Sequence, residues 1–149
     1  MSWVSPLTFA GINYLAIFIA AVAGWLAGAA YYSALGTRWV AAQGKTMEEF
    51  KAHQTSLKGT PAAWLPFALA FAADLVMAWV LAGMVGHLGP VTIRSAVISA
   101  LFAWGGFVVT TVLVNNAFAG RHYALTMIDA GHWLLAVVVM GAVIGWMGV

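Results

Sequence analysis

Four long apolar stretches constrain this chain more than any other feature of its sequence. They cover residues of about 12–32, 62–88, 93–118 and 125–147. Each reaches the ~20 residues that a helix needs to cross the hydrocarbon of a bilayer. The pattern predicts an all-α membrane protein with four transmembrane helices in an antiparallel bundle. No positively charged side chain precedes the first stretch, so we expect a retained helix rather than a cleaved signal peptide.

The composition excludes a water-soluble domain. Only 7% of the 149 residues are charged, whereas soluble proteins carry about 25%. The length fits a single transmembrane domain over residues 1–149, with the lipid bilayer as its surroundings. A formal charge of +2 is too small to suggest a nucleic-acid partner.

The sequence gives no basis for a metal or a cofactor. Cysteine is absent, which removes thiolate ligands and disulfides. His87 and His132 are expected near opposite faces of the membrane, too far apart to share a haem iron. The other two histidines, His53 and His122, fall in predicted loops. Asp129 and His132 alone are too few ligands for a metal ion.

The segment 37–60 is the only long polar stretch. Within it, Thr46 and Glu49 have the spacing of a helix-capping box. The apolar side chains that follow would lie on one side of a helix over about 47–57. This predicts a short amphipathic helix in the membrane interface, between transmembrane helices one and two. A partly ordered loop is the alternative.

Positive charges predict the orientation of the chain. Five Lys or Arg residues fall in the first and third loops, and one, Arg94, falls on the opposite side. The positive-inside rule then puts those two loops in the cytoplasm and both termini outside. We expect a multi-pass protein of the cell's inner, or plasma, membrane. The five residues are Arg38, Lys45, Lys51, Lys58 and Arg121.

Asp74 is the only formal charge in the apolar stretch over residues 61–88. A carboxyl group in hydrocarbon is costly, and by default it marks a functional site or a structural pairing. Asp74 is about twelve residues into its predicted helix and therefore near the middle of the bilayer. Two interpretations are open: a proton acceptor or ion ligand, and a neutral carboxyl bonded to a neighbouring helix.

A second group of polar residues falls at the predicted cytoplasmic ends of helices one, three and four. Asp129 and His132 are three residues apart and share a helix face, where a carboxylate can orient an imidazole for proton transfer. The alternative is a local hydrogen bond that satisfies both groups, and the adjacent asparagines can equally serve as a C-terminal helix cap. The predicted cluster consists of Tyr31, Tyr32, Asn115, Asn116, Asp129 and His132.

Two pairs of glycines have the spacing that lets transmembrane helices approach closely. Gly24 and Gly28 lie four residues apart in the first helix, and Gly141 and Gly145 lie four apart in the last. We expect these pairs to pack helices of the same chain. Four short spans nevertheless offer little interior, which leaves room for a homo-oligomer.

Three stretches of the sequence resemble the DUF1761 family of small membrane proteins. The first opens the first helix at Ile12-Asn13-Tyr14-Leu15. The second contains Tyr31-Tyr32-Ser33 followed by Arg38-Trp39. The third runs from Asn115 to Arg121 and continues into Ile128-Asp129-Ala130-Gly131-His132. The resemblance implies four spans and an unknown activity, and it directs attention to the asparagine pair and to Asp129 and His132 rather than to Asp74.

Three functions are compatible with these features. The first is a small transporter or channel-like protein, with a polar cavity near Asp129 and a midplane proton or cation site at Asp74. The second is a structural or accessory subunit whose polar residues only hold helices together. The third is a membrane enzyme that uses Asp129 and His132 as an acid–base pair on a lipophilic substrate. No nucleophile accompanies that pair, so an enzyme is the least expected of the three.

Overall fold

The computed structural model describes residues 11–149, and within this range the chain is helical and has no β-strand. The expectation about a signal peptide concerns residues 1–10 and lies outside the described residues. A π-helical segment, Trp104–Val108, joins α4 and α5 into one continuous helix. The helices are α1 Tyr14–Ala42, α2 Met47–Ser56, α3 Leu65–Leu88, α4 Ile93–Ala103, α5 Val109–Phe118 and α6 Tyr123–Met147.

Four of these helices are long and apolar enough to cross a membrane. They are α1, α3, the continuous α4–α5 helix and α6, with mean hydropathies of 1.8 to 2.1 over their most apolar windows. The prediction of an all-helical chain with four long apolar helices is confirmed. Inside the third, the Val109 amide donates to the Trp104 carbonyl. This bond spans five residues, and two consecutive glycines, Gly105 and Gly106, lie within the widened turn.

Helix α1 continues to Ala42, whereas the sequence indicated an end near Tyr32. The added length packs against the protein, because Val40 is only 2% exposed. The helix ends where Gly44 adopts a left-handed φ of +73°. The Lys45 amide then donates to the Val40 carbonyl at 3.3 Å, as in a glycine-terminated helix. The glycine, rather than the polar residues before it, therefore sets the length of α1.

Helix α2 begins with the predicted capping box. The Thr46 hydroxyl accepts a hydrogen bond from the Glu49 amide at 3.2 Å, and Glu49 Oε2 accepts one from the Thr46 amide at 2.8 Å. The hydrogen bonds from Thr46 lower the pKa of Glu49. The ring of Phe50 meets that of Trp39 edge to face, with centroids 6.0 Å apart. These contacts give α2 a defined start and attach it to the end of α1.

Two prolines lie at the start of the second apolar stretch. Pro61 opens a separate 3₁₀ turn, Pro61–Ala63, instead of the long helix. Helix α3 starts at Leu65, and Pro66 occupies its first turn, where a missing amide proton costs no hydrogen bond. The second span is therefore a few residues shorter than predicted.

Helix α6 packs against α1 and α4 through glycines. On the α1 side, Gly24 lies against Met140. On the α4 side, Gly141 lies against the backbone of Ala96, and Gly145 lies against the backbone of Ile93. Both glycine pairs that the sequence singled out thus contact helices of the same chain.

The buried core lies at one end of the molecule, which we call the packed end. Here α1 and α4 begin while α3 and α6 end, and Asn13 Nδ2 donates to the Met147 carbonyl at 3.2 Å. At the opposite end, which we call the polar end, α5 has no buried residue and residues 65–69 of α3 are all exposed. The main core cluster therefore lies at the packed end, while α6 also buries Leu125, Thr126 and Ala130 at the polar end. Core residues of the packed end include Ala20, Ala82, Val85, Ala96, Ala100, Met140 and Ile144.

We predict that Gly145→Ala destabilises the protein. A methyl group at Gly145 would lie 2.5 Å from Ile93 Cα and from the Thr92 carbonyl oxygen, and backbone atoms cannot move aside as a flexible side chain can. Overpacking of this kind costs about 1–3 kcal/mol, measured as a lower thermal midpoint in detergent. Gly83→Ala is the matched control, because nothing lies within 4 Å of a methyl group there. Equal midpoints for the two variants would contradict the prediction.

Candidate polar site

Asp129 joins α6 to α1 through two hydrogen bonds. Its Oδ1 accepts a hydrogen bond from the Tyr32 hydroxyl at 2.8 Å and another from Trp39 Nε1 at 3.0 Å. Tyr32 and Trp39 are seven residues apart, two turns of α1, and therefore lie on the same face of the helix. The extension of α1 beyond Tyr32 is what brings the indole to the carboxylate.

His132 lies between aromatic rings and the backbone of α1. Its Nε2 sits where a side chain on Gly28 would be, and its ring centroid is 4.7 Å from that of Tyr32 and 4.7 Å from that of Trp133. Its Nδ1 is buried and has no hydrogen-bond partner. In residues 11–149 no hydrogen bond joins His132 to Asp129. The local pairing considered from the sequence is absent, and Asp129 Oδ1 bonds to Tyr32 and Trp39 instead.

Tyr31 and Trp104 complete the contacts around this part of α6. The Tyr31 hydroxyl lies against Gly131, where any side chain would displace it. Trp104, at the start of the π-helical segment, donates its Nε1 proton to the Ala130 carbonyl at 2.8 Å. The widened turn of the third span is thus tied directly to the α6 segment that carries the polar residues.

The two asparagines behave differently from each other. Asn116 Nδ2 donates to the Thr126 hydroxyl at 3.1 Å and so links α5 to α6, while the Asn115 side chain is exposed. Neither side chain caps α5. The C-cap residue is Ala119. Gly120 follows with φ of +61°, and the Arg121 amide donates to the Asn116 carbonyl at 2.9 Å.

Asp74 is separate from these residues. Its side chain is only 4% exposed, and its Oδ1 has no hydrogen-bond partner. Phe71, one turn earlier on the same helix, packs edge to face on Phe18 and Trp25 of α1. Gly28, which contacts His132, lies three residues beyond Trp25 and ten beyond Phe18, toward the polar end of α1. Within residues 11–149, no hydrogen bond connects Asp74 to the polar site around Asp129.

The structure thus brings together some residues of the predicted cluster, and two tryptophans bond to the same segment of α6. Tyr31, Tyr32, Asp129 and His132 come together, Asn116 bonds to Thr126, and Asn115 and Asp74 stand apart. Sequence reasoning missed Trp39 and Trp104. The spacing of Trp39 from Tyr32 was an available signal, had the first helix been extended through it. Among residues 11–149, no three His, Asp or Glu side chains are grouped so that they could hold a metal ion.

Four apolar helices with hydrogen-bonded polar groups between them fit a multi-pass membrane protein. The family described as Protein of unknown function (DUF1761) matches residues 15–145, nearly the whole chain. The protein belongs to this family, and the resemblance noted from its motifs is confirmed. No curated protein and no solved structure matches the chain significantly.

We predict that Tyr32→Phe lowers the thermal midpoint in detergent. The change removes the hydroxyl that donates to Asp129 and keeps the ring. A hydrogen bond of this kind contributes about 1 kcal/mol to stability. Tyr14→Phe makes the same chemical change at an exposed position and should leave the midpoint unchanged. A loss of similar size in both variants would mean that the Tyr32–Asp129 bond contributes nothing.

Proposed function

We propose that this protein is a small membrane transporter or channel-like protein that carries protons or small cations, with Asp74 as the binding group. Its four apolar helices would form an antiparallel bundle across the inner, or plasma, membrane. One observation carries the proposal: the Asp74 side chain, on an apolar helix, is buried, and its Oδ1 has no hydrogen-bond partner within residues 11–149.

The location of Asp74 supports a role in ion binding. It is the tenth residue of the 24-residue helix α3, which at ~1.5 Å per residue puts it near the middle of the span. Buried polar groups in native proteins are nearly always satisfied, and an exception calls for an explanation. A carboxyl oxygen available to a proton or a cation supplies that explanation, since ionisable groups within membranes typically mark ion pathways.

We predict that Asp74→Asn abolishes proton or cation flux in proteoliposomes. Flux would be followed with an entrapped pH-sensitive dye, or with a dye for Na⁺ or K⁺, after an imposed gradient. Wild type should exceed empty liposomes, and Asp74→Asn should reduce the excess at least tenfold, because Asn neither binds a proton nor carries charge. Glu48→Gln, which neutralises an exposed carboxylate on α2, should match wild type. Wild-type flux equal to that of empty liposomes would refute the proposal.

A structural or accessory role is the second candidate, and a different observation favours it. The bonds from Tyr32 and Trp39 to Asp129, and from Asn116 to Thr126, are all made within the chain and tie α6 to its neighbours. If this is the whole role of the polar groups, wild type shows no flux and Asp74→Asn changes only the thermal midpoint. The enzyme hypothesis loses its main support, because Asp129 and His132 do not form a hydrogen-bonded pair.

We also propose that the loops at the polar end face the cytoplasm, with α2 in the membrane interface. Four positive residues lie between residues 38 and 58, and Arg121 lies in the loop before α6. Both loops are at the polar end, whereas Arg94 is at the packed end. The distribution follows the positive-inside rule.

The orientation predicts which single cysteines react from outside intact cells. The chain has no cysteine of its own, so any labelling comes from the introduced residue. His53→Cys and Pro90→Cys are both at exposed positions. A membrane-impermeant maleimide should label only the cysteine at position 90 in intact cells and both after permeabilisation. Labelling of only the cysteine at position 53 before permeabilisation would reverse the orientation.

A further inference from the structure

Asp129 has no cationic partner within the described chain. Its only hydrogen bonds come from two neutral groups, the Tyr32 hydroxyl and the Trp39 indole, and both reach the same oxygen, Oδ1. In residues 11–149 no Lys, Arg or His nitrogen forms an ion pair with it, and Oδ2 accepts no hydrogen bond. A carboxylate withdrawn from bulk water needs a counter-charge, since a half-buried charge without one is costly.

Aromatic rings cluster beside this carboxylate, and two of them bond to it through Tyr32 Oη and Trp39 Nε1. The Tyr32 centroid lies 5.4 Å from that of Trp39, 5.7 Å from that of Tyr31 and 4.7 Å from that of His132. The Trp133 ring meets that of His132 edge to face, with centroids 4.7 Å apart. Aromatic faces attract cations whose hydration is weak, above all alkylated ammonium groups, and they attract strongly hydrated metal ions far less.

The site is partly accessible. Asp129 and Gly131 are partly exposed, and α5, on the same end of the molecule, buries none of its residues. The glycines at positions 28 and 131 leave the space into which the His132 ring and the Tyr31 hydroxyl fit. Charge, aromatic surface and access therefore coincide at one place on α6.

We propose that Asp129 and the rings of Tyr31, Tyr32, Trp39 and His132 form a binding site for a monovalent organic cation of the alkylammonium class. The free Oδ2 supplies the counter-charge and the rings supply the surface that prefers alkyl groups to water. The inference goes beyond the proposed function, because it concerns a different site from Asp74 and a different class of cation. Binding itself does not require flux and is measured without it.

The test is isothermal titration of tetraethylammonium into the purified full-length chain in detergent. Wild type should bind tetraethylammonium saturably, one molecule per protein chain. Asp129→Asn should bind it at least tenfold more weakly. This variant retains the fold, because an Asn side-chain oxygen can still accept both hydrogen bonds; an unchanged thermal midpoint verifies it. Glu48→Gln is the control for loss of an exposed carboxylate and should bind as wild type does.

A second pair of variants tests the aromatic part of the site. Tyr31→Phe keeps the ring and should bind within about threefold of wild type, whereas Tyr31→Leu removes the ring and should bind at least fivefold more weakly. A tenfold excess of NaCl over tetraethylammonium should not displace the probe. Displacement by sodium, or equal binding by the two Tyr31 variants, would overturn the aromatic assignment.

The binding and flux measurements separate the two proposals. Absence of saturable binding to wild type, or equal binding by wild type and Asp129→Asn, overturns the organic-cation site whatever the flux assay gives. Saturable binding that needs Asp129, in a protein whose proteoliposomes carry no flux, upholds the site and refutes the transport function.

Discussion

The contact between α1 and α6 at Asp129 is the interaction on which the rest of the polar end depends. In hydrocarbon a carboxylate finds no water, so its hydrogen-bond donors must come from the protein. Tyr32 and Trp39 supply them, and they can do so only because α1 continues past Tyr32 to its glycine cap. The length of α1 therefore determines which side chains bond to Asp129.

Glycines make this contact possible. Without a hydrophobic driving force between helices in lipid, close packing depends on small residues that let backbones approach. Gly28 leaves the space into which His132 fits, and Gly131 leaves the space for the Tyr31 hydroxyl. At the packed end, Gly24, Gly141 and Gly145 do the same for aliphatic and backbone atoms. The packed end can hold the helices together while the polar end carries the bonds made by Asp129 and Asn116.

Within residues 11–149, two buried side-chain atoms have no hydrogen-bond partner, Asp74 Oδ1 and His132 Nδ1. They lie on different helices, and neither is explained by helix packing. Unsatisfied groups weaken a fold and are retained where they serve a function. Asp74 carries the proposed ion-binding role, while the partnerless oxygen of Asp129, among aromatic rings, carries the proposed organic-cation site. One chain would then bind a small ion and an organic cation at two depths.

The sequence by itself determined the four apolar helices, the capping box at Thr46 and the family, because these depend on hydrophobic length, local spacing and short motifs. It also identified Tyr31, Tyr32, Asp129 and His132 as candidates, since few polar residues occur in the apolar stretches. Only the tertiary structure decided which of them meet. The carboxylate of Asp129 bonds to Trp39 rather than to His132 because partners on another helix depend on the register and separation of two packed helices, which no local pattern in the chain encodes.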